Sequence, residues 1–138
     1  MKKRILAVDD DRMFLALLKF KLGRCGFEVA TAKNEKEFWD EAFAFEPDLV
    51  IVDLLLKNKM GTDTYQSLVD FGFDPNVPVI FVSGFLGDRP GGLSDPAGKP
   101  WFFSKPVDFE ELVQAINHRL NHDEEATEVV VQNVRGIR

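Results

Sequence analysis

The sequence predicts an α/β fold in which helices cover both faces of a parallel sheet. Short apolar runs alternate with longer runs that carry apolar residues at helical spacing, which is typical of parallel sheets with right-handed crossovers. The run at residues 48–56, DLVIVDLLL, has LVIV at its centre without a polar interruption, as expected for a strand buried on both faces. With 138 residues, of which 45% are hydrophobic and 29% charged, the chain fits one soluble domain with a substantial core.

Five strands are expected, and the helices between them show start and stop signals. The strands are predicted at Arg4–Val8 and Glu28–Ala32 and at residues 48–56, 77–82 and 101–104. The first helix is predicted from apolar residues at helical spacing and two terminal glycines, which are Phe14, Leu17, Leu18, Leu22, Gly23 and Gly26. The second helix begins at Asn34 and stops before Pro47, and the third is predicted at residues 62–71. The last helix begins at a capping pair, Asp108 and Glu111.

One segment interrupts the alternation where a fourth helix would lie. Residues 84–100, GFLGDRPGGLSDPAGKP, contain five Gly and three Pro. Proline lacks the amide hydrogen that a helix interior needs and glycine weakens helices, so no stable helix is expected here. The fourth helix is therefore predicted to be degenerate or replaced by a loop.

The chain is divided into a domain at residues 1–122 and a C-terminal extension or linker at residues 123–138. The extension begins with acidic residues and ends in TEVVVQNVRGIR, whose valines predict one more strand. Two interpretations stay open. Either the extension packs on the domain or mediates a homodimer, or it is a linker to an output domain.

Composition and charge argue against several classes of protein. The net charge of -6 makes a direct nucleic-acid or anionic-membrane footprint unexpected. No run approaches the roughly 18 apolar residues of a membrane-spanning helix, and the apolar run from Ile5 to Val8 is too short for a signal peptide. The single cysteine, Cys25, cannot form an internal disulfide and is expected to be a small buried residue on a helix. The protein is therefore predicted to be soluble and cytoplasmic.

Acidic and polar side chains stand at the ends of the predicted strands. These residues are Asp9 and Asp10 after the first strand, Asp53 on the third, Ser83 on the fourth and Lys105 after the fifth. The carboxyl ends of parallel strands meet at one edge of a sheet, so these side chains are expected to share a pocket. Clustered carboxylates repel each other unless a cation neutralises them, and Mg²⁺ prefers oxygen ligands. A carboxylate beside such a cation can act as a nucleophile and carry an acyl phosphate, so the pattern predicts an aspartyl-phosphate site.

Four sequence segments resemble a known family. RILAVDDD, DLVIVDLLLKNKMG, PVIFVSG and FFSKPVD follow one another in the order and spacing of bacterial two-component response regulator receiver domains, the CheY-like superfamily, over roughly residues 3–121. The resemblance implies a flavodoxin-like, doubly wound sheet of five parallel strands in the order 2-1-3-4-5. PVIFVSGF also resembles an atypical subgroup in which the fourth helix is missing or mobile.

The resemblance implies a role for each residue of the predicted site. Asp53 would be the phosphoacceptor, Asp10 a direct Mg²⁺ ligand, and Asp9 a residue that acts on the metal mainly through water. The backbone carbonyl of Leu55 would complete the protein ligands. Lys105 would take the position of the family's lysine, which often precedes a cis-proline.

Two further residues match the positions that switch between states in the family. Ser83 takes the place of the switch hydroxyl, and Phe102 takes that of the switch aromatic residue. The neighbouring Asp11 is expected to cap the next helix and not to bind the metal. Lys57 stands where many members have proline, and Met60 where many have aspartate, so the loop after the acceptor is altered in composition but not in length.

The function implied by the resemblance is phosphorelay signal transduction. A sensor histidine kinase or phosphotransfer protein would donate a phosphoryl group to Asp53 with Mg²⁺ bound, and the domain would then control a downstream protein target. The protein would be a signalling domain and not an enzyme, with no direct contact to nucleic acid or membrane.

Two other functions remain open at this point. One is a degenerate receiver that acts as a phosphorylation-independent binding module. The other is a haloacid-dehalogenase-like phosphatase, since Asp9-x-Asp11 after an apolar strand also opens that fold. A phosphatase of that kind would leave Asp53 without a role, and it would need a further acidic pair where Asp108 begins a helix.

Overall fold

The structure is a computed structural model that describes the backbone at residues 2–57, 59–84 and 102–132, with side chains described up to residue 121. Along the chain the elements are β1 (Arg4–Val8), α1 (Arg12–Arg24), β2 (Glu28–Ala32), α2 (Glu35–Ala44), β3 (Leu49–Asp53), β4 (Leu55–Leu56), β5 (Lys59–Met60), α3 (Gly61–Asp70), β6 (Val79–Ser83), β7 (Phe102–Ser104) and α4 (Phe109–Gln132). The predicted alternation of strands and helices is confirmed.

Five of the strands form one parallel sheet in the order β2-β1-β3-β6-β7. This is the predicted 2-1-3-4-5 order once the short β4 and β5 are set aside. In the register of β1 and β3, Val8 lies opposite Val52, so Asp9 comes next to Asp53. In the register of β3 and β6, Asp53 lies opposite Val82. The strand order therefore brings residues from distant parts of the chain to one edge.

The sheet separates two hydrophobic cores. On one face the strands pack against α1 and α4 through buried residues that include Ile5, Ala7, Ile51, Leu18 and Ile116. On the other face they pack against α2 and α3 through buried residues that include Leu6, Val8, Val52, Phe38 and Leu68. All residues of β3 are buried, as expected for a central strand covered on both sides.

The predicted helix starts are confirmed by their capping hydrogen bonds. The side chain of Asn34 accepts from the amide of Glu37, and the side chain of Asp108 accepts from the amides of Glu110 and Glu111. These bonds satisfy amide groups that have no partner within the first turn of a helix. The starts of α2 and α4 are therefore each decided locally by one polar side chain, whereas α3 begins after Met60 without a side-chain cap.

Three expectations from the sequence are corrected. The third strand ends at Asp53 and not at residue 56, because β4 pairs antiparallel with β5 in a separate hairpin. The valines at residues 129–131 are helical and not a strand, because α4 runs unbroken to Gln132 through a sequence without Gly or Pro. Cys25 is exposed at the end of α1, where it follows the last helical residue.

The predicted loss of a fourth helix falls on residues outside the described part of the chain, apart from Gly84. Among the residues that the structure describes, no helix combines the length and the apolar character needed to cross a bilayer.

Candidate functional site

The structure brings the predicted strand-end carboxylates together at the carboxyl edge of the sheet. Asp9 and Asp10 follow β1, and Asp53 is the last residue of β3. One carboxylate oxygen from each of these three residues lies within 4.8 Å of the other two. Because β1 and β3 are adjacent and in register, the cluster follows directly from the strand order.

Among the described residues, Lys105 is the cation that contacts this acidic cluster. Its Nζ lies 2.8 Å from an oxygen of Asp9, and the same ammonium lies 4.5 Å from the ring centre of Phe14. Its backbone amide donates to the carbonyl of Ser83 at 3.1 Å, and the peptide bond to Pro106 is cis. The lysine is therefore held by its backbone at the end of β6 and by its side chain at the end of β1.

The three adjacent carboxylates of Asp9, Asp10 and Asp11 have different local partners. Asp9 accepts a hydrogen bond at 2.8 Å from the amide of Asp11 through its other oxygen. The carboxylate of Asp11 accepts from the amides of Met13 and Phe14, both at 3.1 Å, and so caps α1. Asp10 is exposed, and within the described part of the chain its carboxylate has no hydrogen bond or ion pair. The expected capping role of Asp11 is confirmed, and Asp9 and Asp10 lie near Asp53.

Burial makes the negative charge of the cluster costly. Asp9 is 1% and Asp53 is 6% exposed. Burial, reinforced by repulsion from Asp9, raises the pKa of Asp53 from 3.8 to about 6, although the amide of Leu55 and the charge of Lys105 oppose the rise. Burial also raises the pKa of Asp9, against the hydrogen bonds from Lys105 and the Asp11 amide. Among the described residues one ammonium, that of Lys105, offsets the three carboxylates incompletely, and this donor set suits a hard cation such as Mg²⁺.

The backbone that follows Asp53 packs closely around this residue. The amide of Leu55 donates to Oδ1 of Asp53 at 3.3 Å, and the amide of Gly61 donates to the carbonyl of Leu54. A Cβ at Gly61 would collide with the backbone carbonyl oxygen of Asp53, so only glycine fits there. Lys57 has φ of 53°, a value that proline cannot adopt.

The two switch candidates are both buried. Ser83 is the last residue of β6, and its neighbour in the sheet is Ser104 of β7. Phe102 stacks on Phe81 of the adjacent strand, with ring centres 5.2 Å apart. Sequence reasoning singled out neither Phe81 nor the contact of Phe14 with Lys105, because both depend on strand order and helix placement that no local pattern records.

Solved structures of known proteins share this architecture. A CheY-like response regulator receiver domain protein from Methanospirillum hungatei aligns with a TM-score of 0.73 and 25% sequence identity, covering 91% of this chain and 99% of the other. The anti-anti-sigma factor PhyR from Bartonella quintana aligns with a TM-score of 0.73 and 21% identity, covering 94% of this chain and 52% of PhyR, which supports the fold alone. The fold and the acidic edge together define the class of CheY-like receiver domains.

The chain belongs to the response regulator receiver domain family, which it matches over residues 5–117. Response regulator MprA of Mycolicibacterium vanbaalenii is 30% identical over 131 residues, which cover 93% of this chain and 56% of MprA. DNA-binding response regulator MtrA of Mycolicibacterium paratuberculosis is 29% identical over 136 residues, which cover 97% of this chain and 59% of MtrA. The chain thus spans somewhat more than half the length of these relatives. It is a signalling domain of the two-component type.

Proposed function

We propose that this receiver domain accepts a phosphoryl group on Asp53 in a Mg²⁺-dependent reaction and thereby controls a downstream protein. The donor would be a sensor histidine kinase or a phosphotransfer protein in the cytoplasm. The observation that carries the proposal is the convergence of Asp9, Asp10 and Asp53 within 4.8 Å, beside the ammonium of Lys105. A purely structural cluster of this kind would destabilise the domain without an evident gain.

The two oxygens of Asp53 have different environments. Oδ1 accepts the hydrogen bond from Leu55, which leaves Oδ2 as the nucleophile. Oδ2 would attack the phosphorus atom, the bond from phosphorus to the donor nitrogen would break, and the donor histidine would keep the electron pair of that bond. The new phosphoryl oxygens would face the ammonium of Lys105 and the hydroxyl of Ser83, which act as donors.

The contacts of the acidic pair support different metal roles. Asp9 already has an amide and an ammonium as partners for its two oxygens, so a role through water suits it. Asp10 is exposed without a partner among the described residues, so a direct role suits it. With Asp53 and the backbone carbonyl of Leu55, these groups would hold Mg²⁺, which supplies positive charge for the transferred phosphoryl oxygens.

Ser83 and Phe102 are proposed to form the conformational switch. Attraction between the new anion and the hydroxyl of Ser83 would draw that side chain toward Asp53. Phe102, held against Phe81 in the structure, would then change its packing to fill the vacated space.

An exposed apolar groove beside the site supports docking of the phosphodonor protein. The groove has a volume of about 770 Å³ and adjoins Lys105. Its apolar wall includes Met13, Leu17 and Phe20 from α1, together with Pro106, Val107 and Phe109. Met13 is 83% and Phe20 is 58% exposed, which is unusual for large apolar residues on a soluble domain. Because the groove shares Lys105 with the acidic site, a protein bound there would stand next to Asp53.

The test is labelling by acetyl phosphate in the presence of Mg²⁺. The wild type is expected to become phosphorylated, Asp53→Asn to stay unlabelled, and the exposed-site control Asp40→Asn to behave as the wild type. Omission of Mg²⁺ should abolish labelling. Labelling of Asp53→Asn would place the acceptor elsewhere. An unlabelled wild type would favour the phosphorylation-independent binding module.

The contacts of two acidic residues argue against the phosphatase alternative. Asp11, the second acid of Asp9-x-Asp11, is engaged as the cap of α1. Asp108 is likewise engaged as the cap of α4, so it does not supply the further acidic group.

A further inference from the structure

One edge of the parallel sheet lies beside a groove with excess positive charge. Among the described residues, β2 is the end strand of the sheet and pairs with β1 alone. The groove along this edge, the edge groove, has a volume of about 370 Å³, and its lining includes Arg12 and Lys19 of α1, Thr31 of β2, Lys33 and Glu37. We propose that an extended acidic segment of a partner protein binds here as an additional strand of the sheet.

The hydrogen bonds between β1 and β2 show which backbone groups of β2 face outward. The amide of Glu28 donates to a carbonyl beside β1 at 3.0 Å, and the carbonyl of Ala32 accepts from the amide that follows β1, also at 3.0 Å. Backbone groups alternate in direction along a strand, so Val29 and Thr31 direct their amides and carbonyls away from β1. Within the described chain these outward groups have no hydrogen bond to protein. An added strand would pair with two donors and two acceptors.

The edge groove is positively charged although the whole chain has a net charge of -6. Its charged lining residues are three cations, Arg12, Lys19 and Lys33, and one carboxylate, Glu37. Glu37 is matched by Lys33, whose Nζ lies 3.7 Å away and whose amide donates to it at 2.9 Å. Arg12 and Lys19 are exposed, and neither forms an ion pair within the part of the chain that the structure describes. Two positive charges therefore remain uncompensated in the groove.

The unmatched cations lie on the same face of the sheet as the side chains of the outward-facing residues of β2. Arg12 and Lys19 are about two helical turns apart, so they lie on one face of α1, and both line the groove with Thr31. Val29 packs against the core between the sheet and α1, and Thr31, two residues later, has its side chain on that face too. An added strand would present alternate side chains there, about 7 Å apart. Acidic side chains at alternate positions would therefore come within reach of both cations.

A second copy of this chain fits the edge less well than an acidic segment does. Antiparallel pairing of two β2 strands about a two-fold axis would place both α1 helices on the same face of the joined sheet. Arg12 and Lys19 of both copies would then meet at the interface, where four like charges repel one another. Carboxylates on an added strand would instead be attracted by the same cations. The charge of the edge groove thus favours an acidic partner over self-association.

The test is binding of a fluorescent eight-residue peptide in which Glu alternates with Val, measured by anisotropy. Metal-free, unphosphorylated protein is used, so the result does not depend on phosphorylation of Asp53. Binding is expected at submillimolar concentration and should weaken several-fold when the salt concentration is raised, because salt screens exposed charges. The same peptide with Lys in place of Glu should not bind.

Three charge variants test the contribution of the edge groove. Arg12→Gln and Lys19→Gln, combined, should weaken binding about fivefold, since each exposed ion pair contributes little on its own. The matched control is Lys21→Gln on the same helix, which should bind as the wild type because Lys21 lies over the ring of Phe109, away from the groove. Glu37→Gln keeps a side-chain oxygen for the capping hydrogen bond but removes the negative charge, so it should strengthen binding several-fold.

Pairing through the backbone is tested separately from charge. Peptides that are N-methylated at one or the other alternate set of residues lose the amide donors on one side of the strand. One of these peptides should lose binding and the other should keep it, because only one side can face β2. Thr31→Pro removes an outward amide without removing a bond to β1, so it should abolish binding while thermal denaturation shows a folded domain. The two N-methylated peptides give the same information on the wild type and need no folded variant.

Several results would overturn the proposal. These are no binding of the Glu–Val peptide at millimolar concentration, equal binding of the Lys–Val peptide, and equal effects of the two N-methylated peptides. Dimerisation of the free protein that Thr31→Pro abolishes would assign the edge to a second copy and would also overturn it.

Discussion

At the scale of single residues, Asp53 carries an electrostatic cost. It is buried beside Asp9, and both effects raise its pKa to about 6. A raised carboxyl pKa means that the folded protein binds a proton more readily than the unfolded chain does. The contribution of Asp53 to stability is therefore most favourable below its unfolded pKa of 3.8 and is lost as pH rises toward about 6.

Asp53→Asn is expected to stabilise the metal-free protein at neutral pH. Removing the charge should raise the free energy of unfolding by about 1–3 kcal/mol near pH 7.5, and the gain should shrink toward zero near pH 4. Urea denaturation at the two pH values measures both quantities. Asp40→Asn serves as control, since its partner Lys36 is exposed. A gain that is equal at the two pH values would contradict the electrostatic explanation.

Gly61 is a second residue whose identity is dictated by a neighbour. A Cβ there would collide with the carbonyl oxygen of Asp53 and lie 3.0 Å from Cγ1 of Val52, and the buried strand β3 cannot readily move. Gly61→Ala is therefore expected to lower the free energy of unfolding by about 1–3 kcal/mol, as overpacking does.

Chemical denaturation of Gly61→Ala and Gly23→Ala provides the comparison. Gly23 lies on α1, and among the described residues no neighbouring atom comes within 4 Å of the position that its Cβ would take. Its substitution should therefore be neutral or stabilising by about 0.5–1 kcal/mol. Equal effects of the two substitutions would show that the close approach at Gly61 carries no cost.

At the scale of elements, the start of α1 separates residues that look alike in sequence. In the run Asp9, Asp10 and Asp11, the first is paired with Lys105, the second is exposed, and the third caps the helix. Three identical side chains that are adjacent in sequence thus have three different environments. The strand end fixes the first two, and the helix start fixes the third.

Asp11→Ala and Asp10→Ala are expected to affect different properties. Loss of the cap should lower the free energy of unfolding by about 1 kcal/mol while Mg²⁺-dependent labelling persists. Asp10→Ala should instead weaken the response of labelling to Mg²⁺ without comparable loss of stability. Thermal denaturation and a Mg²⁺ titration of labelling measure the two effects. Abolished labelling in Asp11→Ala would contradict the division.

At the scale of the whole molecule, the apolar groove and the acidic site are neighbours, and Lys105 belongs to both. The groove is formed by α1 together with the segment that follows β7, elements on one face of the sheet. Phosphotransfer from a protein donor should therefore depend on the groove, whereas reaction with a small phosphodonor should not.

Met13→Ser and Leu17→Ser, combined, are expected to slow phosphotransfer from a sensor kinase about tenfold, since each removes apolar area from the contact. Labelling by acetyl phosphate should be unchanged in the same variant. Phe71→Ser is the matched control, because Phe71 is 72% exposed and packs on Trp39 away from the groove. Equal loss with both donors would show damage to the acidic site and would contradict a docking role.

Local sequence patterns were enough to predict the repeating elements, the helix caps and the identity of the strand-end residues. Apolar periodicity and capping side chains act within a few residues, so their consequences can be read along the chain. The same local reasoning misassigned the valines of residues 129–131, because β-propensity was overridden by a helix already begun at Phe109.

Which of these residues meet depends on the tertiary fold. Lys105 contacts Asp9 and the ring of Phe14 through strand order and helix placement rather than through any local signal. Contacts between residues far apart in the chain are set by the register of parallel strands, which a single sequence constrains weakly. The burial that raises the pKa of Asp53 arises at that level, from packing around a position whose chemistry was already visible in the sequence.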